Sequence, residues 1–298
     1  MKVLLLGAGG QLGHALLREF TPEVELIALD RAGCDLARPA DIQAAIGDYA
    51  PDAIVNAAAY TAVDRAETDV ATATAVNAIA PGVIGAAAVK LGATVVHYST
   101  DYVFDGAKAT PYCEDDATAP LSVYGRTKRD GERALSASGA RALILRVSWV
   151  VGAEGTNFAK TMLRLARERE RLTVVADQHG VPTPAPLIAS VTSRLLRRLE
   201  RDGAAAFPFG LYHLAPTGET SWFEYARFVL AEAERLGVAL KVHAAAVEPI
   251  LAADYPTAAR RPANSRLDTS RFRATFGLPL PSWMDALRPV LQEILNIP

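Results

Sequence analysis

Of the 298 residues, 50% are hydrophobic and 21% are charged, a composition that supports a packed core and excludes a disordered chain. The formal net charge is −2 without any block of like charges, which argues against nucleic acid and membrane surfaces as partners. No apolar run approaches the length of a membrane span, and the two cysteines lack metal-ligand or redox spacing. We therefore expect a cytoplasmic protein of one large domain or two modest ones.

Short apolar runs alternate with helix-length segments through the first half of the chain. The first run is interrupted at once by Gly7, so it predicts a strand rather than a signal peptide. We predict buried strands at 3–6, 26–29, 53–55, 94–97 and 143–147, and helices at 11–20, 41–49, 70–91 and 124–136. This alternation indicates an α/β fold with a doubly wound parallel sheet that is covered on both faces.

After Trp149 the pattern becomes less regular. We predict helices at 157–171, 187–200 and 222–236, strands at 172–175 and 210–214, and an extended segment at 181–186, where prolines occupy alternate positions. Residues 249–266 are rich in proline and arginine and are predicted to form a functional loop. Because no repeat and no low-complexity linker occurs, two lobes that share one body fit the sequence better than two separate domains.

A glycine-rich turn follows the first strand and opens the first helix, with the sequence Gly7-Ala8-Gly9-Gly10-Gln11-Leu12-Gly13. Gly7 permits the tight turn, Gly10 lets the backbone approach a pyrophosphate, and Gly13 lets helix and strand pack closely. Free N–H groups at the helix N-terminus would then hold the phosphates. The order of strand, turn and helix predicts a Rossmann-type site for a dinucleotide.

The end of the second strand bears on which nicotinamide cofactor is bound. Asp30 follows the turn by about 20 residues, where an acidic side chain would hydrogen-bond a ribose 2′-hydroxyl and favour NADH. Arg31 could pair with a 2′-phosphate and favour NADPH. Asp35 and Leu36 lie where a loop could flank the adenine, although Asp35 is nearly as well placed to cap a turn. The predicted cofactor is therefore NADPH or NADH.

A tyrosine and a lysine stand four residues apart on the predicted helix 124–136. Tyr124 and Lys128 therefore share one helix face, within reach of a common ligand. Carbonyl reduction needs a proton donor, and a nearby ammonium lowers the pKa of a phenol toward neutral pH. Only six of the 31 lysines and arginines are lysines, which singles out Lys128. Thr100 is placed to polarise the same carbonyl, or else is a strand-end hydroxyl.

These features lie within longer strings that resemble the dTDP-4-dehydrorhamnose reductases, a family of extended short-chain dehydrogenases/reductases. The resemblance runs from the first strand to near Phe276. It is carried by the strings at 7–13, 55–64, 97–104, 120–128, 146–149, 157–162, 177–178, 182–183 and 261–267. The strings in the second half are the more specific, because general dinucleotide-binding folds lack them.

The resemblance implies NAD(P)H-dependent reduction of the C4 ketone of dTDP-4-dehydro-β-L-rhamnose to dTDP-β-L-rhamnose, in dTDP-rhamnose biosynthesis. It implies that Tyr124 is the proton donor and that Lys128 activates it and anchors the nicotinamide ribose. Thr100 and Asp101 would hold the sugar, and Trp149 would pack on it. The other residues that it implies along the cofactor are Gly10, Gln11, Leu12, Asp30, Asp35, Leu36, Ala59, Tyr60, Thr61 and Tyr98.

The second half would then hold most of the nucleotide-sugar site. Asn264 and Arg266 are candidates for the thymidine diphosphate, because the donor fork of arginine suits a diphosphate. Both are equally suited to ordering their loop. We expect residues 1–150 to form the NAD(P)-binding domain, with segments near 180–215 returning to it. Residues 151–298 are expected to form mainly the substrate lobe.

The sequence departs from the family at one point. Members are associated with Mg²⁺ at a dimer contact, and a carboxylate of the first helix is among its ligands. Here the first helix carries no acid before Glu19, and no two of the five histidines have helical ligand spacing. We therefore predict no metal site, and a homodimer stays open.

Two other functions also stay open. A nucleotide-sugar epimerase or dehydratase would share the fold and keep its NAD bound, but the dehydratases follow the aspartate with a glutamate. Here Tyr102 follows Asp101. A non-catalytic, dinucleotide-binding regulatory subunit would have no need for Thr100, Tyr124 and Lys128 together.

Overall fold

The chain forms twelve strands and eleven α-helices in the computed structural model, which describes residues 1–20 and 24–296. The strands are β1 (Lys2–Leu6), β2 (Glu25–Leu29), β3 (Ala53–Asn56), β4 (Thr94–Thr100), β5 (Arg141–Val147), β6 (Val150–Val151), β7 (Thr173–Val175), β8 (His179–Gly180), β9 (Thr183–Pro184), β10 (Gly210–His213), β11 (Thr220–Ser221) and β12 (Glu248–Ile250). The helices are α1 (Gln11–Glu19), α2 (Pro39–Tyr49), α3 (Val63–Ala66), α4 (Val70–Thr74), α5 (Ala80–Leu91), α6 (Val123–Ala137), α7 (Phe158–Glu168), α8 (Ala185–Asp202), α9 (Trp222–Arg235), α10 (Ser270–Phe276) and α11 (Trp283–Ile294).

Six strands form one parallel sheet in the order β10-β5-β4-β3-β1-β2. The strand order reverses between β1 and β3, and sheets of this kind bind ligands beyond the carboxyl ends of their strands at such a reversal. The predicted α/β class with a doubly wound parallel sheet is confirmed. The five predicted strands of the first half are the five N-terminal strands of this sheet.

The apolar run that opens the chain is explained by helices on both faces of the sheet. Val3 and Leu5 of β1 belong to a core that α1 and α8 share, whereas Leu4 and Leu6 belong to a second core with α2 and α5. Successive side chains of a strand point to opposite faces, so a strand buried on both faces has no polar position. Each of these four residues is at most 1% exposed.

The second half differs from the prediction in several bounds. The segment predicted as extended over 181–186 pairs only at Thr183–Pro184, and α8 begins already at Ala185. Pro186 is compatible with this start, because the first turn of a helix leaves its N–H groups without intrahelical acceptors. The short α3 and the C-terminal α10 and α11 were not predicted.

A third core is formed mainly by α7, α9 and α11, in the C-terminal half of the chain. β10 returns to the N-terminal sheet and pairs with β5. Three short two-stranded pairings, β6 with β9, β7 with β12 and β8 with β11, connect the remaining segments. The division of the chain near residue 150 stays a prediction, and residues 297 and 298 of the predicted substrate lobe lie outside the described residues.

The helical stretch Val70–Leu91 is long and apolar enough to cross a membrane by length and composition, with a mean hydropathy of 1.5. The sequence analysis predicted a helix over this stretch but did not count it as an apolar run of membrane-spanning length. It consists of α4, a π-helical turn at Ala75–Ile79, and α5. α5 packs against α2 and α6, and core helices of soluble proteins satisfy the same criteria, so the stretch is weak evidence for a membrane span.

Candidate active site

A cavity of about 1710 Å³ opens beyond the carboxyl ends of the central strands. The glycine-rich turn, β7 and the proline- and arginine-rich loop all contribute to its lining. The described residues of the predicted site line it with three exceptions, which are Gly13, Asn264 and Arg266. The structure therefore brings most of the predicted site residues to one place.

The three glycines of the turn have different surroundings. Gly7 has a φ of +87°, which only glycine adopts readily, and a Cβ there would lie 2.6 Å from the backbone nitrogen of Ala58. A Cβ at Gly13 would lie 2.2 Å from the carbonyl oxygen of Gly7, so Gly13 serves close packing. At Gly10 the nearest protein atom would be 3.5 Å away, which leaves its cavity side open to a ligand.

Gln11 is the first residue of α1, and its side chain is occupied within the protein. Its Oε1 accepts hydrogen bonds from the backbone N–H of Gly152 at 3.0 Å and from Nδ2 of Asn157 at 2.9 Å. The Gln11 amide thus connects α1 to the segment that precedes α7. Among the described residues no side chain caps α1, whose first residues Gln11 and Leu12 line the cavity. Its first N–H groups therefore remain available to an anion.

The residues that follow β2, Asp30 and Arg31, bring a carboxylate and a guanidinium to the cavity. Oδ1 of Asp30 accepts the backbone N–H groups of Ala32 and Gly33 at 3.0 and 3.1 Å. The Arg31 side chain is 79% exposed and lies 3.7 Å from Asp35, a distance at which an exposed ion pair holds it weakly. Asp35 also accepts the N–H of Ala37 at 3.1 Å, which is the turn-capping role that the sequence left open. Leu36 is buried beside it.

The loop after β3 carries Ala59, Tyr60 and Thr61 along the cavity, and a buried asparagine holds it. Oδ1 of Asn77 accepts the N–H of Tyr60 at 2.8 Å, and its Nδ2 donates to the carbonyl of Tyr60 at 3.0 Å. Asn77 lies in the π-helical turn Ala75–Ile79, a distortion that is frequent at functional sites. The sequence analysis missed Asn77, although a lone buried amide in an alanine-rich helix is a usable signal.

Tyr124 and Lys128 lie one turn apart on α6, and both line the cavity. Lys128 is 2% exposed, and its Nζ donates to the carbonyl of Tyr98 at 2.6 Å. Burial lowers the pKa of Lys128 to about 8, whereas the charge of Glu132 raises it. Burial raises the pKa of Tyr124 to about 12, against a hydrogen bond with Thr100 that lowers it. The phenol thus needs a bound cation or donor to become acidic near neutral pH.

Thr100 ends β4 and connects the phenol to a buried carboxyl group. Its Oγ1 donates to Oδ1 of Asp101 at 3.0 Å and accepts the N–H of Tyr102 at 3.2 Å. Asp101 is 1% exposed. Burial raises the pKa of Asp101 to about 6, against hydrogen bonds from Ser265 and Thr100 that lower it.

Replacing Asp101 with Asn is expected to stabilise the fold at neutral pH by about 1–3 kcal/mol. Because the pKa of Asp101 is about 6 in the fold and 3.8 ordinarily, the folded chain binds the proton more tightly than the unfolded chain. Wild-type stability therefore falls as the pH rises through this window, whereas the amide has no charge to bury. Denaturant unfolding of both chains at several pH values tests this. If the stability gain of Asp101→Asn persists unchanged below pH 3.8, the gain comes from packing and not from the removed charge.

Two aromatic residues of the predicted site make contacts within the protein while lining the cavity. The Tyr98 hydroxyl shares a hydrogen bond of 2.7 Å with Oγ1 of Thr192 on α8, so its carbonyl, not its phenol, serves the site. Trp149 lines the cavity, but its indole stacks on Trp222 with ring centroids 3.6 Å apart. Trp149 has a φ of +44°, an uncommon backbone conformation for a bulky residue that is typical of functional positions.

Asn264 and Arg266 do not reach the cavity. Nδ2 of Asn264 donates to the carbonyls of Lys108 and Thr110 at 2.7 and 2.9 Å, and its Oδ1 accepts from Nε of Arg266 at 2.8 Å. Arg266 also pairs with Glu219 at 2.7 Å. These contacts fit the loop-ordering role that the sequence left open.

Other arginines line the cavity in their place, namely Arg169, Arg171, Arg260 and Arg261. Arg261 donates to both carboxylate oxygens of Asp64, at 2.8 and 3.3 Å, so part of its donor fork is already used. The predicted functional loop 249–266 does contribute to the cavity, through residues 250–261. Composition indicated this loop, but it did not indicate which of its arginines face inward.

Comparison with known proteins decides the family. The family model described as the RmlD substrate binding domain matches residues 1–296.

The chain belongs to this family.

Curated relatives named dTDP-4-dehydrorhamnose reductase are similar to the chain over their whole length. The chain is 47% identical to the dTDP-4-dehydrorhamnose reductase of Shigella flexneri over 300 residues, which cover 99% of each chain. It is 46% identical to that of Escherichia coli (strain K12) over 301 residues, again 99% of each chain. The resemblance inferred from the sequence strings is confirmed.

Solved structures agree with this assignment to the RmlD family. The dTDP-4-dehydrorhamnose reductase from Bacillus anthracis, crystallised in complex with NADP, superposes with a TM-score of 0.89 at 34% identity, covering 98% of this chain and 99% of that one. An orthologue from Clostridium acetobutylicum superposes with a TM-score of 0.90 at 32% identity and covers both chains fully.

The metal that other members of the RmlD family are associated with does not fit the residues near α1. Arg18 of α1 lies 3.1 Å from Glu154 and also pairs with Glu293. Both carboxylates are thus already paired with a guanidinium. Within residues 1–20 and 24–296, no group of three His, Cys, Asp or Glu side chains could hold a metal ion. The expectation that the chain works without Mg²⁺ stays a prediction.

Proposed function

We propose that the chain reduces the C4 ketone of dTDP-4-dehydro-β-L-rhamnose to dTDP-β-L-rhamnose, with NADPH or NADH as the reductant. The observation that carries this proposal is the pair of a half-buried Tyr124 and a buried Lys128 beside Thr100, at the carboxyl edge of the sheet. Full-length relatives that are named dTDP-4-dehydrorhamnose reductase support the choice of substrate.

The dinucleotide, when bound, supplies the hydride for sugar C4. Tyr124 then gives its phenol proton to the alkoxide oxygen, so that a ketone, a hydride and a proton yield the alcohol. The Lys128 ammonium lowers the pKa of the phenol, against the burial that raises it. Thr100 positions the carbonyl oxygen. In the free enzyme the Thr100 hydroxyl donates a hydrogen bond to Asp101 instead.

The cofactor would lie along the turn and the loops that follow β2 and β3. Its diphosphate would face the open side of Gly10 and the uncapped N-terminus of α1, where backbone N–H groups are free. The residues proposed to line the rest of the cofactor are Gly7, Leu12, Asp30, Arg31, Asp35, Leu36, Ala59, Tyr60 and Thr61.

Replacing Arg31 with Ala is expected to raise the KM for NADPH by about tenfold or more and to leave the KM for NADH nearly unchanged. Only NADPH carries a 2′-phosphate, and Arg31 is exposed and weakly paired, so it is free to bind one. Steady-state kinetics with both cofactors tests this. The matched variant Asp30→Ala should instead raise the KM for NADH, because the 2′-hydroxyl of NADH needs a hydrogen-bond acceptor. Equal losses with both cofactors would contradict this assignment.

The substrate would extend from Tyr124 into the second lobe. Thr100 and Asp101 would hold the sugar, and Trp149 would contact it with the part of the indole that Trp222 leaves uncovered. For the diphosphate we propose the arginines Arg169 and Arg260, which line the cavity. Asn264 and Arg266 would support the loop from behind.

Absorbance of the reduced nicotinamide, followed with freshly prepared dTDP-4-dehydrorhamnose, tests the proposed function. We expect the absorbance to fall and dTDP-rhamnose to form. A 4-keto sugar linked to UDP is the matched control for recognition of the base. Cofactor binding without any turnover would favour a regulatory subunit, and an altered sugar without net loss of reduced cofactor would favour an epimerase.

We also propose the cytoplasm as the location, in line with the free state of both Cys34 and Cys113. A nucleotide sugar is the partner that the family supports. A homodimer stays a proposal that sedimentation or light scattering would test.

A further inference from the structure

A buried histidine contacts the proposed catalytic lysine. His97 lies on β4, and its Nε2 is 3.4 Å from Nζ of Lys128. Its other ring nitrogen, Nδ1, is 3.1 Å from Nδ2 of Asn56 on β3. Because His97 is only 1% exposed, its two nitrogens depend on these two neighbours for hydrogen bonds.

Asn56 determines where the imidazole carries its proton. Oδ1 of Asn56 accepts the backbone N–H of Ala58 at 3.2 Å, which turns Nδ2 toward the ring. A donor that faces Nδ1 requires a lone pair there, so the neutral ring has its proton on Nε2. Asn56 and His97 are direct partners in the parallel β3–β4 register, which holds the two side chains together.

The selected tautomer directs an N–H donor at Lys128. An ammonium has only donors, whereas an uncharged amine has a lone pair that can accept from Nε2–H while it donates to the Tyr98 carbonyl at 2.6 Å. We propose that His97 is a positioning residue, locked by Asn56 as the Nε2–H tautomer, that favours the uncharged amine of Lys128 over the ammonium.

The other groups around Lys128 do not cancel the preference for the uncharged amine. Burial lowers the pKa of Lys128, and only the charge of Glu132, one turn further along α6, raises it. Glu132 is itself paired with Arg146 at 2.7 Å, which offsets its charge. Tyr124, one turn earlier, is a neutral phenol. Burial and the lysine both hold the pKa of His97 well below its ordinary value, so the ring stays neutral.

The inference deepens the proposed reduction and rests on it. A lysine that holds its proton weakly is a better proton source for the phenolate that Tyr124 becomes after each turnover. The same weakness makes Lys128 lose its charge at a lower pH. His97 thereby sets the alkaline limit of the reaction, because kcat/KM falls as the pH rises and the ammonium is lost.

The pH profile of kcat/KM distinguishes this role from a merely structural one. In His97→Gln the amide oxygen can turn toward the ammonium, so we expect the alkaline limit to move up by about one pH unit. Asn56→Asp presents an acceptor to Nδ1, moves the ring proton there and leaves Nε2 as an acceptor, so it should also raise the limit. Lower activity with an unmoved alkaline limit in both variants would overturn the proposal.

A double variant separates the tautomer from simple charge. In the His97→Gln background, Asn56→Asp has no imidazole to act on and is expected to add at most a small further shift. If Asn56→Asp raises the alkaline limit equally in both backgrounds, its carboxylate acts on Lys128 through space, and the proposal fails.

Magnetic resonance of nitrogen-labelled histidine reads the tautomer without any turnover. The His97 signals are those that disappear in His97→Gln, and we expect a neutral ring protonated on Nε2. A ring protonated on Nδ1, or on both nitrogens, would overturn the inference. Should the chain reduce no keto-sugar, the titration of Lys128 replaces the pH profile. It is followed by magnetic resonance of nitrogen-labelled lysine, with the Lys128 signal assigned by its loss in Lys128→Met, and a lower midpoint is expected in the wild type than in His97→Gln. The proposed function and this inference can thus fail separately.

Discussion

Replacing Tyr124 with Phe is expected to lower kcat for the keto-sugar by a factor of about 10²–10⁴, because it removes the proton donor and little else. The ring and its edge contact with Tyr102, at a centroid distance of 5.5 Å, are kept. Binding of the dinucleotide should persist, since its phosphates are proposed to be held by backbone groups of the glycine-rich turn. Steady-state kinetics and a separate titration with cofactor distinguish lost chemistry from lost binding.

Tyr212→Phe is the matched control, because it deletes the hydroxyl of another buried tyrosine outside the cavity lining. That hydroxyl donates to the carbonyl of Pro208 at 3.0 Å. We expect the variant to lose about 0.5–1.5 kcal/mol of stability and to keep its kcat. A near-normal kcat in Tyr124→Phe would show that Tyr124 is not the proton donor. Asp101 would then be the next candidate for that role.

The parallel sheet could be predicted because each of its first five strands is an apolar run bounded by a helix-length segment. A strand buried on both faces, such as β1, has no polar position, and that feature is visible without coordinates. The bounds in the second half were less accurate. Pro186, for example, indicates an extended backbone by itself, but it fits equally well in the first turn of α8.

The site was predictable where chemistry depends on spacing along the chain. The glycine-rich turn and the Tyr124–Lys128 pair are local patterns of this kind. The direction of a side chain in a loop depends on contacts that are distant in sequence, and no local pattern encodes it. From the sequence, Arg266 is therefore a reasonable candidate for the diphosphate. In the structure it pairs with Glu219, which lies in a separate segment of the chain. Asn77 was missed for the same reason, since its partner Tyr60 lies on another element.

Replacing Glu132 with Ala is expected to lower the free energy of unfolding by about 3–5 kcal/mol, because it leaves a buried guanidinium without its counter-charge. Nε and Nη2 of Arg146 donate to the two carboxylate oxygens of Glu132 at 2.9 and 2.7 Å. The two side chains are 4% and 6% exposed. Phe104, whose ring centroid lies 5.0 Å from the guanidinium, offers only partial compensation. Urea unfolding at neutral pH measures the loss.

Glu168→Ala is the matched control, because Glu168 pairs with Arg164 at the same 2.7 Å but both side chains are more than half exposed. Its cost should be about 0.3–0.5 kcal/mol. Equal losses in the two variants would show that burial does not govern the Glu132 pair. The Glu132 variant should also lower the alkaline limit of the reduction, because the charge of Glu132 raises the pKa of Lys128. The ion pair that stabilises α6 against β5 would then also help to keep the catalytic lysine charged, opposing the bias that His97 introduces.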